Sequence, residues 1–184
     1  MLDEMRSRGP EPSVVSYNAA ISACAKGSEW EKALALWDEM ERRGVAPDEA
    51  SYSAAISACE KGGKWQQALS LLDEMQRYDV QPNVITFSAA ISACEKGGQW
   101  QRALLLLAEL QTTGGGLDAS AITYGTAITA CQKAGQAASA LDLLEDMKAR
   151  GVAPDLGCYN AAMRALASTG ELDRARSLPL GSRA

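Results

Sequence analysis

Four lysines, Lys26, Lys61, Lys96 and Lys133, recur at intervals of 35, 35 and 37 residues along a chain of 184. A column of ammonium groups at near-constant spacing suits a ligand with evenly spaced anions, and a phosphodiester backbone is such a ligand. The same lysines could instead sit at the C-terminal ends of helices, where a cation offsets the negative end of the helix dipole. The two roles are compatible.

Beside them the reactive chemistry is sparse. There is no histidine, which removes the commonest general base and the commonest zinc ligand. The sequence holds neither a zinc-deaminase His-x-Glu…Cys-x-x-Cys signature nor the carboxylate cluster of a metal nuclease. Neither an enzyme nor a cofactor is expected. Lys and Arg number 18 against 23 Asp and Glu, with a pI near 4.9. That balance opposes bulk attraction to nucleic acid, so any such binding depends on where the charges sit.

What spaces the lysines is a repeat. The segment from Val14 to Cys24 aligns with Glu49 to Cys59, with Val84 to Cys94 and, more loosely, with Ala121 to Cys131. Full units are assigned to residues 14–48, 49–83, 84–120 and 121–155, and a partial fifth with an irregular C-terminus to 156–184. Self-similarity at this period means a stacked array in which each unit buries its apolar face against its neighbours. Leu2-Asp3-Glu4-Met5 matches Leu72-Asp73-Glu74-Met75, so residues 1–13 are taken as the end of a truncated repeat and the chain as a fragment.

Numbering places from Val14, apolar residues fall at places four, seven, eight and eleven: Tyr17, Ala20, Ile21 and Cys24, then Tyr52, Ala55, Ile56 and Cys59. This is one face of an amphipathic helix. Steps such as Lys26-Gly27-Ser28 and Lys61-Gly62-Gly63 end it. A second stripe follows through Trp30, Ala33, Leu34, Trp37 and Met40, and a proline (Pro47, Pro82 or Pro154) blocks its continuation. Each unit is therefore a helix–turn–helix hairpin, and the predicted fold is an all-α right-handed superhelical solenoid. No apolar run is long enough for a membrane span. Trp30, Trp65 and Trp100 fall on the buried stripe and are expected in the core. Stacked helices lie about 8–10 Å apart, beyond the ~7 Å that a disulfide tolerates between Cα atoms. Cys24, Cys59, Cys94 and Cys131 are therefore expected as reduced, packed thiols.

The opposite face of the first helix carries places two, six, nine and thirteen, with place five at its edge. Places six and nine are small: Ala19, Ala54, Ala89 and Thr126, with Ser22, Ser57, Ser92 and Thr129. Such a floor leaves room for a flat ligand. Asp38-Glu39, Asp73-Glu74, Glu109 and Glu145-Asp146 lie late in the second helices, on the expected outer layer. Glu60 and Glu95 sit beside the lysines and should weaken non-specific anion binding.

A 35-residue hairpin with Tyr-Asn-x-x-Ile early, Ala-Leu-x-Leu-x-x-x-Met in its second helix and Gly-Val-x-Pro-Asp at its close resembles the pentatricopeptide repeat (PPR) family. Tyr17, Tyr52, Phe87, Tyr124 and Tyr159 hold place four throughout. The resemblance implies a monomeric binder of single-stranded RNA, one base per repeat, in plastids or mitochondria, acting in RNA processing, stabilisation or translation. It implies base reading at places five and thirty-five. Asn18 with Asp48 then reads U, since an acceptor-only carboxylate meets an imino N–H; Ser53 with Asn83 reads A, whose ring nitrogen meets an amide donor. Ser88 pairs with Asp118 to read G if Asp118 holds the reading place; Ser120 there leaves the base unassigned. Gly125 with Asp155 is an uncommon combination, and Asn160 suggests a pyrimidine. Place two, the family's base-stacking wedge, holds Val15, Ala50, Ile85 and Ile122. The lysines then become the phosphate contacts. The rival expectation is a scaffold that cradles protein partners, which the acidic balance favours.

Overall fold

The computed structural model describes residues 12–112 and 119–170. Among them lie nine helices: α1 (Val14–Lys26), α2 (Trp30–Arg42), α3 (Glu49–Lys61), α4 (Trp65–Arg77), α5 (Val84–Lys96), α6 (Trp100–Thr112), α7 (Ala121–Lys133), α8 (Ala137–Ala149) and α9 (Leu156–Thr169). The described residues contain no strand. The all-α hairpin class expected from the two apolar stripes is the class observed. The chain forms two compact units, Met1–Ala93 and Cys94–Ala184. In the first, α1 packs on α2 and α3, and α3 also packs on α2 and α4; in the second, α7 packs on α6, α8 and α9. None of the described helices is long and apolar enough to cross a membrane.

The first-helix stripe is the core. Tyr17, Ile21, Tyr52, Ala55, Ile56, Tyr124, Ala127 and Ile128 are sealed from solvent. On the second helices, Ala33, Ala68, Ala103 and Ala140 hold place twenty and are fully buried, so the partner helix meets a methyl group there rather than a long chain. Three of the hairpins are also pinned by a polar contact; the third repeat, with Phe87 at place four, has no hydroxyl to make it. The hydroxyls of Tyr17, Tyr52 and Tyr124 donate to Glu39 (3.1 Å), Glu74 (3.0 Å) and Asp146 (2.6 Å) respectively. Part of the acidic set assigned to the outer layer thus turns inward to receive buried phenols, because a buried O–H needs an acceptor.

The turn between paired helices is uniform. Place fifteen adopts a left-handed backbone at Ser28 (φ 60°), Gly63 (64°), Gly98 (68°) and Gly135 (68°). The next amide then reaches back to the place-eleven carbonyl, as Lys64 N–H does to Cys59 (2.8 Å) and Gln136 N–H to Cys131 (2.9 Å). This closure satisfies carbonyls that a helix end leaves open.

Trp30, Trp65 and Trp100 are half-buried rather than sealed, whereas Trp37 is buried. Trp30 lies flat beneath the next repeat's turn: a Cβ at Gly62 would fall 2.6 Å from its ring. The Lys64 ammonium sits over the same ring, 4.7 Å from its centre. Cys59, Cys94, Cys131 and Cys158 are buried, Cys24 is partly exposed, and all five are free thiols. Burial pushes Cys59 up to about 12, and Cys94 and Cys131 up to about 11.

Candidate functional site

In the first unit the exposed faces of α1 and α3 and the start of α5 border a groove of about 440 Å³, lined by Ser22, Lys26, Glu49, Ser53, Lys61 and Asn83, among others. Its floor is small because places six and nine are Ala and Ser. Two place-two side chains, Ala50 and Ile85, line it. Val15 and Ile85 are 71% and 64% exposed, and in the second unit Ile122 is 77% exposed. Ala50 is exposed as well but offers one methyl. Free-standing apolar groups at helix starts are available to a flat ligand face.

Places five and thirty-five come together, and a third residue that sequence reasoning missed holds them. Asp48 is the N-cap of α3, its Oδ1 accepting the Ser51 N–H at 2.9 Å. Asn18 Nδ2 donates to the same oxygen at 2.9 Å. The Ser51 hydroxyl donates to Asn18 Oδ1 at 2.5 Å. Burial alone would raise the Asp48 carboxyl; hydrogen bonds from the Ser51 backbone, the Asn18 and Ser51 side chains and the Ala50 backbone outweigh it and hold Asp48 below its ordinary value. The second Asn18 amide N–H and the Asp48 Oδ2 take no part in this network; Asp48 is exposed and Asn18 half-buried.

The second repeat uses the same frame with different atoms. Asn83 Oδ1 accepts the Thr86 N–H (2.9 Å) and lies 3.0 Å from the Thr86 hydroxyl, which also bonds Ser53 Oγ (2.9 Å). The cap fixes the amide: its oxygen points into α5 and its NH2 points out, donating to Glu49. In the second unit Asp155 caps α9 through the Cys158 N–H (2.8 Å). Hydrogen bonds from Cys158 hold its carboxyl below the ordinary value, against the opposing effect of burial. A Cβ on Gly125 would stand 3.4 Å from Cys158 Sγ, so place five there is an open step above the thiol. Ser88 lies half-buried on α5, and Asn160 is exposed on α9.

Asp118 lies outside the described residues. Ser120 is the N-cap of α7 and accepts the Thr123 N–H at 3.2 Å, the role played by Asp48, Asn83 and Asp155. The unassigned alternative, with Ser120 at place thirty-five, is therefore the arrangement in register with the other repeats.

The missed column is place three: Ser51, Thr86 and Thr123 are the buried polar residues of the chain's described part. Its signal was present as a capping pattern, an Asp, Asn or Ser followed three residues later by a hydroxyl.

Lys26, Lys61, Lys96 and Lys133 each close a first helix and are exposed. Both roles anticipated for them fit that position. Their carboxylate neighbours are nearer than spacing suggested. Lys61 pairs with Glu60 at 3.2 Å, and Lys133 with Glu95 at 2.5 Å, while Glu60 also receives the Ser92 hydroxyl at 3.1 Å. An arriving anion must displace these carboxylates.

A model described as "PPR repeat family" matches residues 12–61, 47–96 and 119–168, and one described as "PPR repeat" matches 85–114. No curated protein matches the chain. Among solved structures, the chain is similar to the pentatricopeptide repeat protein PPR10 from maize, with TM-score 0.69, 30% identity and coverage of 96% of this chain. It is also similar to PPR10 in complex with an 18-nt psaJ RNA element, with TM-score 0.73, 23% identity and 95% coverage. It spans only 25% of the PPR10 chain in either case. The PPR domain of Arabidopsis thaliana protein-only RNase P 1, in complex with tRNA, gives TM-score 0.78 at 19% identity, covering 90% of this chain and 86% of that one. With family models matching most of its length and the hairpin repeats described above, this chain belongs to the PPR repeat family.

Proposed function

We propose that the chain binds single-stranded RNA sequence-selectively, each repeat meeting one base with its place-five and place-thirty-five side chains and binding without catalysis. The observation that carries this reading is the different polar groups held by two neighbouring frames. The first leaves an amide N–H and a carboxylate oxygen outside its network, a match to the carbonyl and imino N–H of U. The second turns outward an amide NH2 fixed by its cap, a match to the ring nitrogen of A. RNA-bound PPR10 and the tRNA-bound RNase P domain support an RNA ligand for the fold. In this reading Ile85 and Ile122 stack between bases, supported by their exposure, and the lysines meet phosphates. A plastid or mitochondrial setting, with a part in RNA processing, stabilisation or translation, belongs to the same proposal and rests on family resemblance.

A second reading, a scaffold for protein partners, is favoured by the carboxylates that hold Lys61 and Lys133. Selection of the full chain against a random RNA pool separates the two. An enriched motif with adjacent U and A supports RNA reading; a pool that stays unenriched overturns it in favour of the scaffold.

A further inference from the structure

We propose that Glu49 is a third base-reading side chain of the second repeat, accepting the exocyclic amine of adenine and excluding guanine. This inference rests on the RNA-binding reading above and concerns a place outside the pair that the family uses.

The need for a third group follows from the cap. An asparagine facing adenine ordinarily has both a donor for the ring nitrogen and an acceptor for the exocyclic amine. Asn83 has only the donor to offer. Its Oδ1 receives the Thr86 backbone N–H and the Thr86 hydroxyl, which together use both lone pairs. The Watson–Crick edge of adenine presents a ring-nitrogen acceptor beside an amine donor. Some other group must accept the amine, or that N–H loses its partner on binding, at a cost typical of an unsatisfied polar group.

Glu49 is positioned for this. It is the first residue of α3, exposed and lining the same groove as Ser53 and Asn83. It accepts a hydrogen bond from Asn83 Nδ2, so its carboxylate lies directly beside the outward donor. Donor and acceptor are thus adjacent, in the order adenine requires. Guanine reverses that order, setting a ring N–H against the amide donor and a carbonyl oxygen against the carboxylate. The other repeats hold Val14, Val84, Ala121 and Leu156 at this place, none of which offers a side-chain hydrogen bond. A carboxylate in a groove that takes a polyanion costs affinity, which makes an acceptor role the more specific account of its presence.

The test uses the full chain, its Glu49→Val and Glu49→Gln variants, and short RNAs from the enriched motif that differ only in A or G at the second repeat's nucleotide. Valine occurs naturally at this place in two repeats, so the fold is expected to persist, and circular dichroism checks it. In E49V the ratio of A to G affinity should fall about tenfold, the lower part of the range for a good base contact. Affinity for the G-containing RNA should rise as the negative charge is removed. E49Q loses the charge but keeps a carbonyl acceptor, so it should retain preference for A while binding both RNAs more tightly. An unchanged A to G ratio in E49V overturns the assignment, as does an equal loss in both variants, which would reduce Glu49 to a charge effect. Wild-type protein that binds neither RNA overturns the RNA-binding reading itself, a distinguishable result.

Discussion

Asn18 Nδ2 lies 2.9 Å from Asp48 Oδ1, so the two ends of one repeat meet across 30 residues of sequence. The contact aligns an amide and a carboxylate side by side, with a second amide N–H and a second carboxylate oxygen outside the contact. Exchanging Asn18→Ser and Asp48→Asn copies the pair Ser53 and Asn83. The base preferred at that single position should move from U to A, by about 1–3 kcal/mol, with neighbouring positions unchanged. Competition binding with RNAs varied at one nucleotide reads this directly. A double variant that still favours U, or that loses all bases equally, shows that these two side chains do not choose the base.

The lysines predict a salt signature. Each phosphate contact on a single strand contributes about −0.7 to the slope of log K against log salt. Lys61→Ala with Lys96→Ala should flatten the slope by about 1.4, twice that value, without changing sequence preference. Glu60→Gln should act in the opposite sense, since it frees Lys61 from its partner at 3.2 Å. Unchanged salt dependence in the lysine variant would assign these residues to closing their helices.

Stability should fall in alkali. Burial pushes Cys59 to about 12 and Cys94, Cys131 and Cys158 to about 11, from an ordinary 9.0. Burial, with help from Glu74, also raises Tyr52 above its ordinary 10.0. In this window the unfolded chain has released these protons while the folded chain keeps them, so stability falls as pH rises. The contribution is whole below about pH 9 and is lost progressively towards 11–12. Urea denaturation across pH 8 to 11 checks the sign, and Cys59→Ala should make the decline shallower.

Two turns carry side chains where the backbone favours glycine. Ser28 has φ 60° and Asp79 has φ 61°, whereas other repeats place Gly63 and Gly151 at the equivalent turns. Left-handed backbone costs a non-glycine residue about 1–2 kcal/mol, partly offset by the entropy glycine loses on folding. Ser28→Gly and Asp79→Gly should each stabilise the chain by about 0.5–1 kcal/mol in thermal or urea unfolding. Destabilisation by either would mean that its side chain makes a contact worth more than the strain.

The hairpins were legible because their signal is repeated. Tyr17, Ile21 and Cys24 mark a helix face, and Lys26 with Gly27 marks its end, so period and turn chemistry agree. The place-three hydroxyls were harder to see. Ser51 and Thr86 sit one residue before the core tyrosine or phenylalanine, where a polar residue on an isolated amphipathic helix belongs to the surface. In the fold they are buried and bond to place five of the preceding repeat's first helix, Asn18 and Ser53. Glu39 and Glu74 misled in the converse way: charged and late in the second helix, they signal outer surface, yet a buried phenol on the partner helix draws them in. Ser120 could not be set in register by counting, because the linker before it carries two extra residues. It was identified through the amide it caps.

The residue at place thirty-five, which the proposed RNA reading sets against a base, also caps the next helix, and on that reading this sets a vocabulary for redesign. Asp48, Asn83, Ser120 and Asp155 all belong to the small group of side chains that accept a helix-terminal N–H well. A retargeted array can spell only with that alphabet at no structural cost. A letter from outside it, such as Lys or Leu, would loosen the start of the following helix by about 0.5–2 kcal/mol. Because that helix carries the next place-five residue on its second turn, a misspelling at one base would blur the one after it.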